Sequence, residues 1–99
     1  MTAYIIADVE VHDPEAFGLY RDRVPAVIAR YGGRYLVRGG ALHPVEGEWG
    51  LHRLVVLEFP SVEDARRFYD SPEYAPLLEL RRASATTKMA IVEGWTPPG

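Results

Sequence analysis

Tyr4-Ile5-Ile6-Ala7-Asp8-Val9-Glu10-Val11, with Asp13-Pro14-Glu15 close behind, is the stretch whose pattern decides the fold. Its residues alternate. Ile5, Ala7, Val9 and Val11 fall on one face, and Tyr4, Ile6, Asp8 and Glu10 on the other, as in a strand of period two. Asp13 offers a carboxylate to the free N–H groups of a helix start, and Pro14 suits the first helical position. Phe17, Tyr20, Val24, Val27 and Tyr31 then recur at helical spacing, and Gly32-Gly33 supplies a stop. The pattern occurs a second time. Arg53 to Phe59 is an apolar run ended by Pro60, and Ser61-Val62-Glu63-Asp64 resembles a capping box with Asp in place of the usual Glu.

Working outward, Arg34 to Arg38 reads as a strand with Tyr35 and Val37 on one face and Arg34, Leu36 and Arg38 on the other. Gly39-Gly40 permits a bulge or sharp bend. Ala41 to His52 is the longest irregular stretch, built around Trp49. Val62, Ala65, Phe68 and Tyr69 give the second helix its apolar side. Ser71-Pro72-Glu73 repeats the cap-plus-proline signal, so this helix is expected to break and restart. Tyr74, Leu77 and Leu78 line the second piece, and Arg81-Arg82 suit its C-terminal dipole. Thr87 to Glu93 is the last strand. Pro25 is expected to bend or break the first helix, because proline removes one ladder bond and crowds the carbonyl at Arg21. The order is βαββαβ. It predicts an α+β, ferredoxin-like domain over residues 1–99: a four-stranded antiparallel sheet with helices on one face, strand one between strands three and four, and strand two at the edge.

Composition narrows the function. The 99 residues fit one domain and leave no room for a separate cofactor domain. At 47% apolar and 25% charged the chain reads as globular. A net charge of −3 with scattered basic residues argues against nucleic acid. The absence of cysteine excludes disulfides, thiolate metal sites and Cys nucleophiles. The N-terminus lacks the marks of a signal peptide, and no apolar run approaches the ~20 residues that span a bilayer. A cytoplasmic protein without membrane association is the expectation.

The pleat places Tyr4, Ile6, Asp8, Leu36, Arg38, Leu54, Val56 and Glu58 on the face without helices. Antiparallel alignment makes one row of Asp8, Leu54 and Arg38, and another of Tyr4, Glu58 and Arg34. If a second sheet covers this apolar face, its charges leave water and need partners. They can be paired structurally, Glu58 with Arg34 and Arg38 with Asp8 or with the partner subunit. Alternatively they line a ligand site between two sheets, where Arg38 holds an anion and Asp8 or Glu58 moves a proton. Tyr69 and Tyr74 are candidates for aromatic ligand contacts, though such spacing also suits core. Trp49 is a candidate lid or dimer contact. His12, His43 and His52 show no metal-ligand spacing, so neither metal nor cofactor is expected. Ser61 and Ser71 are read as caps, and the glycine pairs do not form a phosphate loop.

Ala3-Tyr4-Ile5-Ile6-Ala7, Tyr31-Gly32-Gly33-Arg34-Tyr35-Leu36-Val37-Arg38-Gly39-Gly40, Leu57-Glu58-Phe59-Pro60-Ser61 and Tyr69-Asp70-Ser71-Pro72-Glu73-Tyr74 carry a family resemblance. The chain resembles the small family called domain of unknown function 1330, within the dimeric α/β-barrel superfamily. The resemblance implies a homodimer whose two sheets face each other, and no defined reaction or cofactor. The wider superfamily includes cofactor-free oxygenases, haem-degrading oxygenases and lactone isomerases. Its haem branch uses a helix-borne histidine, which Val62–Ser84 lacks. Two readings follow. One is a dimer that binds a small anionic or aromatic molecule between its sheets, with cofactor-independent proton transfer or oxygenase-like chemistry. The other is a non-enzymatic scaffold or ligand carrier.

Overall fold

The computed structural model describes residues 1–98. The chain runs β1 (Ala3–Val11), α1 (Pro14–Arg30), β2 (Arg34–Arg38), β3 (Leu54–Phe59), α2 (Val62–Asp70), α3 (Ala75–Ser84) and β4 (Ala85–Glu93). The four strands form one antiparallel sheet in the order β2-β3-β1-β4, with helices on one face. This is the ferredoxin-like arrangement that the doubled pattern predicts. The expected caps are in place. Asp13 Oδ1 accepts the Ala16 N–H at 3.2 Å, and Ser61 Oγ accepts the Asp64 N–H at 3.1 Å. Ser71 separates α2 from α3 by accepting the Tyr74 N–H while its hydroxyl donates to the Phe68 carbonyl.

The core lies between helices and sheet. Ile5, Phe59, Phe68 and Tyr74 are almost wholly buried there, beside Val24, Ile28 and Leu57. Gly33 lets α1 and β3 meet. A Cβ at this position would lie 2.6 Å from the Phe59 ring and 2.8 Å from Ile28.

Two expectations are corrected. First, of the bend or break expected at Pro25, the break is absent: α1 is continuous from Pro14 to Arg30. The carbonyl that Pro25 cannot serve, that of Arg21, accepts a hydrogen bond from Arg38 Nη2 at 2.8 Å instead. Second, β2 carries a bulge at Leu36. Tyr35 pairs with Leu57, but Val37 pairs with Val56 and Arg38 with Val55. The extra residue reverses the alternation. Val37 therefore lies on the helix-free face, and Arg38 turns toward the helices. The row of Asp8, Leu54 and Arg38 does not form. The row of Tyr4, Glu58 and Arg34 does.

Candidate functional site

Between α1, α3 and the helix-facing side of the sheet lies a narrow cavity of about 40 Å³. Most of its wall is apolar, as at Ile5, Ala7, Val24, Leu57 and Met89. Four arginines interrupt that wall, Arg21, Arg38, Arg53 and Arg81, together with the phenols of Tyr20, Tyr35 and Tyr74. The lining contains no carboxylate and no histidine among the described residues. Among the described residues, the acidic side chains that form ion pairs do so elsewhere: Glu58 with Arg34, Asp64 with Arg67, Glu73 with Arg30, and Asp8 and Glu10 with His52. The cavity is thus cationic and without a counter-charge among the described residues.

Each cation is placed by a different device. Arg81 belongs to the buried stripe of α3, four residues after Leu77 and seven after Tyr74, and is 5% exposed. Its Nε donates to Tyr74 Oη at 3.3 Å, and Tyr74 Oη lies 2.8 Å from Tyr20 Oη. Packing fixes the Tyr74 ring, with Phe68 at 4.6 Å and Tyr69 at 5.6 Å between centroids. Burial, and then the adjacent Tyr74 hydroxyl, push the Tyr20 phenol far above its ordinary value. Tyr20 is therefore a neutral hydroxyl throughout the physiological range, never a base.

Arg53 enters from the residue before β3, on the same side as Val55 and Leu57. Its guanidinium lies against Gly39, whose φ is +71°; a Cβ there would lie 2.7 Å from Arg53 Cζ. Glycine at 39 thus supplies both the backbone conformation and the space. Arg53 Nε is buried without a hydrogen-bond partner among the described residues. Arg38 stands 4.7 Å over the centroid of Tyr35 while reaching the Arg21 carbonyl. Burial raises the Tyr35 phenol, opposed by the charge of Arg38. Exposure falls from Arg38 through Arg53 to Arg81, so Arg38 marks the mouth and Arg81 the floor.

The opposite face of the sheet carries a different cluster. Asp8 Oδ1 accepts the backbone N–H groups of His52 at 2.8 Å and Arg53 at 3.1 Å, while Oδ2 accepts from His52 Nδ1 at 3.0 Å. The His52 side chain, aided by the two backbone donors, holds the Asp8 carboxyl below its ordinary value. Asp8 in turn raises His52, with Glu10 assisting. These bonds anchor the end of the irregular 39–53 segment to β1.

Linkage gives this cluster a pH signature. His52 sits above its ordinary 6.5, so its stabilising contribution is complete below pH 6.5 and is lost as pH rises through the raised value. Asp8 sits below its ordinary 3.8, so its contribution is complete above pH 3.8 and is lost as pH falls through the lowered value. The melting-temperature difference between the natural protein and Asp8→Asn is expected to be widest between these limits and to shrink on the alkaline side. A difference that grows there would contradict the pairing.

The residues singled out from sequence therefore divide between two faces. Asp8 and Glu58 lie on the helix-free face, and Glu58 is held by Arg34 Nε at 2.9 Å. Arg38 and Tyr74 line the cavity on the other side. The expected constellation of Arg38 with Asp8 or Glu58 does not assemble, because the Leu36 bulge separates them. Tyr69 packs on Tyr74 and borders a shallow groove with Arg66 and Ile91. Trp49 is 60% exposed, and its indole N–H donates to the Glu46 carbonyl within the loop. Arg53, Arg81, Tyr20 and Tyr35 were not among the sequence candidates. Arg81 was signalled by its place on the Tyr74–Leu77–Leu78 stripe, and Arg53 by its parity with Val55, Leu57 and Phe59.

Comparison with known proteins agrees with this architecture. The family model described as domain of unknown function (DUF1330) matches residues 2–95. A protein of unknown function from Rhodopseudomonas palustris is 19% identical, with 97% of this chain and 84% of that one covered at a TM-score of 0.73. SnoaB, a cofactor-independent oxygenase from Streptomyces nogalater, is 17% identical, with 97% and 95% covered at 0.66. A dimeric ferredoxin-like protein of unknown function from Jannaschia sp. CCS1 is 12% identical, with 95% and 100% covered at 0.65. At these identities the likeness establishes the fold. No curated protein matches the chain.

Proposed function

Because the chain belongs to the family described as domain of unknown function 1330, whose name assigns no reaction, we propose its function from the cavity: it binds a small organic anion between helices and sheet. The observation that carries this reading is the set of four arginines around one apolar cavity, with no carboxylate among the described residues of its lining. A buried cation costs several kcal/mol unless it is paired, of order. An incoming carboxylate or phenolate relieves that cost and finds donors suited to its geometry. The space of about 40 Å³ is well below the ~300 Å³ of a pocket that swallows a drug-sized ligand. It takes the charged head among the guanidinium groups, within reach of Arg38, and the rest of the ligand projects from the mouth.

The lining offers no group to abstract a proton, so the ligand arrives already ionised. This supports binding, and it does not favour catalytic roles for Asp8 and Glu58 on the far face. The likeness to SnoaB makes cofactor-independent oxygen chemistry the reaction class to assay once a ligand is in hand. Calorimetric titration with benzoate and its uncharged isostere benzamide tests the reading. Benzoate is expected to bind at least about tenfold more tightly, a difference of about 1.4 kcal/mol. Equal affinities would overturn it.

The proposal includes a homodimer joined through the helix-free faces. Ile6 (40%), Leu36 (44%) and Val92 (45%) are large apolar side chains left exposed by one copy. Ile6 pairs with Val56 on one side and Ala90 on the other, which makes the patch continuous across three strands. The dimeric description of the Jannaschia protein supports this assembly.

A further inference from the structure

Two local irregularities of this chain converge on one hydrogen bond. Proline inside a helix removes the N–H that would serve the carbonyl four residues earlier, and a bulge weakens its own strand pairing. Here Pro25 frees the carbonyl of Arg21, and the Leu36 bulge turns Arg38 toward it. Arg38 Nη2 donates to that carbonyl at 2.8 Å, the hydrogen bond this side chain makes among the described residues. The Tyr35 ring lies beneath the guanidinium, its centroid 4.7 Å from Arg38 Cζ. Arg38 and Arg21 both line the mouth of the cavity.

We propose that Pro25 is a positioning residue for the cavity: by freeing the Arg21 carbonyl it tethers the Arg38 guanidinium across the mouth. The inference rests on the anion-binding reading of that cavity. An exposed arginine on an edge strand otherwise samples many rotamers, and ordering it on binding reduces affinity. The tether pre-pays that ordering and leaves the other guanidinium N–H groups free for the ligand. An alanine at position 25 restores the missing donor. The Arg21 carbonyl returns to the helix ladder, and Arg38 loses its anchor.

Pro25→Ala is therefore expected to move two properties in opposite directions. The melting temperature rises, because the helix regains a bond and loses an unfavourable residue, while benzoate affinity falls several-fold. A purely structural role for Pro25 gives no such opposition. In the Arg38→Met background, Pro25→Ala should change the melting temperature but leave benzoate affinity where Arg38→Met alone puts it. The Arg38 side-chain ¹⁵N–¹H resonance should shift and sharpen toward that of a free arginine in Pro25→Ala. Unchanged benzoate affinity in Pro25→Ala would overturn the positioning role alone, as would an equal loss with Arg38 absent. A natural protein that fails to prefer benzoate over benzamide would overturn the cavity reading and, with it, the purpose assigned to Pro25.

Discussion

Arg81→Met is expected to make the protein more stable and to abolish benzoate binding. Arg81 is 5% exposed, and its hydrogen bond goes to the Tyr74 hydroxyl and not to a carboxylate. Replacing a buried charge by an apolar side chain of similar length removes the desolvation cost and keeps most of the packing. Whole buried ion pairs exchanged for apolar residues are neutral or stabilising by about 1–4 kcal/mol, and the exchange at Arg81 leaves no partner carboxylate behind. For a domain of this size, each 1 kcal/mol moves the melting temperature by roughly 4–8 °C. Affinity should fall by about 30-fold or more, since truncating a buried hydrogen-bonded charge at an interface costs about 2–5 kcal/mol. Thermal melts and calorimetry on one preparation check both halves. A destabilised variant that still binds benzoate would make Arg81 a structural residue.

The second large effect concerns assembly. Ile6→Lys is expected to convert a dimer into a folded monomer. In one copy the Ile6 side chain is 40% exposed and points away from the helices, so a lysine ammonium there stays in water and the fold survives. In the dimer, each copy would carry an unpaired ammonium into the middle of an apolar interface. Interfaces of this obligate kind bury about 2,000 Å² or more in total, and an unpaired charge inside one costs several kcal/mol, of order. Two such charges weaken association by at least about a hundredfold, since each tenfold is about 1.4 kcal/mol. Light scattering at micromolar concentration should give about twice 11.1 kDa for the natural protein and 11.1 kDa for the variant. A natural protein that is monomeric, or a variant that stays dimeric, would contradict the assignment of this face.

The elements of the fold were legible because local chemistry and global pattern agree. Asp13-Pro14 and Ser61 cap the helices they announce, and the alternation of β1 and β3 settles which face meets the helices. The break between α2 and α3 follows from Ser71-Pro72 in the same way. The site was less legible, and one residue explains most of the gap. A bulge at Leu36 reverses the parity of all that follows in β2, and nothing in Tyr35-Leu36-Val37 marks where the extra residue falls. The glycines at 39 and 40 pointed to an irregularity nearby but not to its position. Arg38 therefore changed faces, and the predicted partnership with Asp8 went with it. That α1 runs unbroken past Pro25 was illegible for a related reason. The rule that proline orphans a carbonyl is local, whereas the group that satisfies the Arg21 carbonyl comes from another element. Asp8 was correctly seen as a charge needing a partner. That partner, His52, lies at the end of an irregular segment whose path no periodicity encodes.

The central claim is that the anion site lies between helices and sheet, and methyl-resolved NMR during a benzoate titration tests it most directly. Ile5, Val24, Leu57 and Met89 line the cavity, whereas Ile6, Val56 and Val92 lie on the helix-free face. Benzoate is expected to shift the first group, with the Arg81 side-chain resonance moving alongside, and benzamide at the same concentration should leave them in place. Shifts confined to Ile6, Val56 and Val92, or equal shifts from both compounds, would contradict the account.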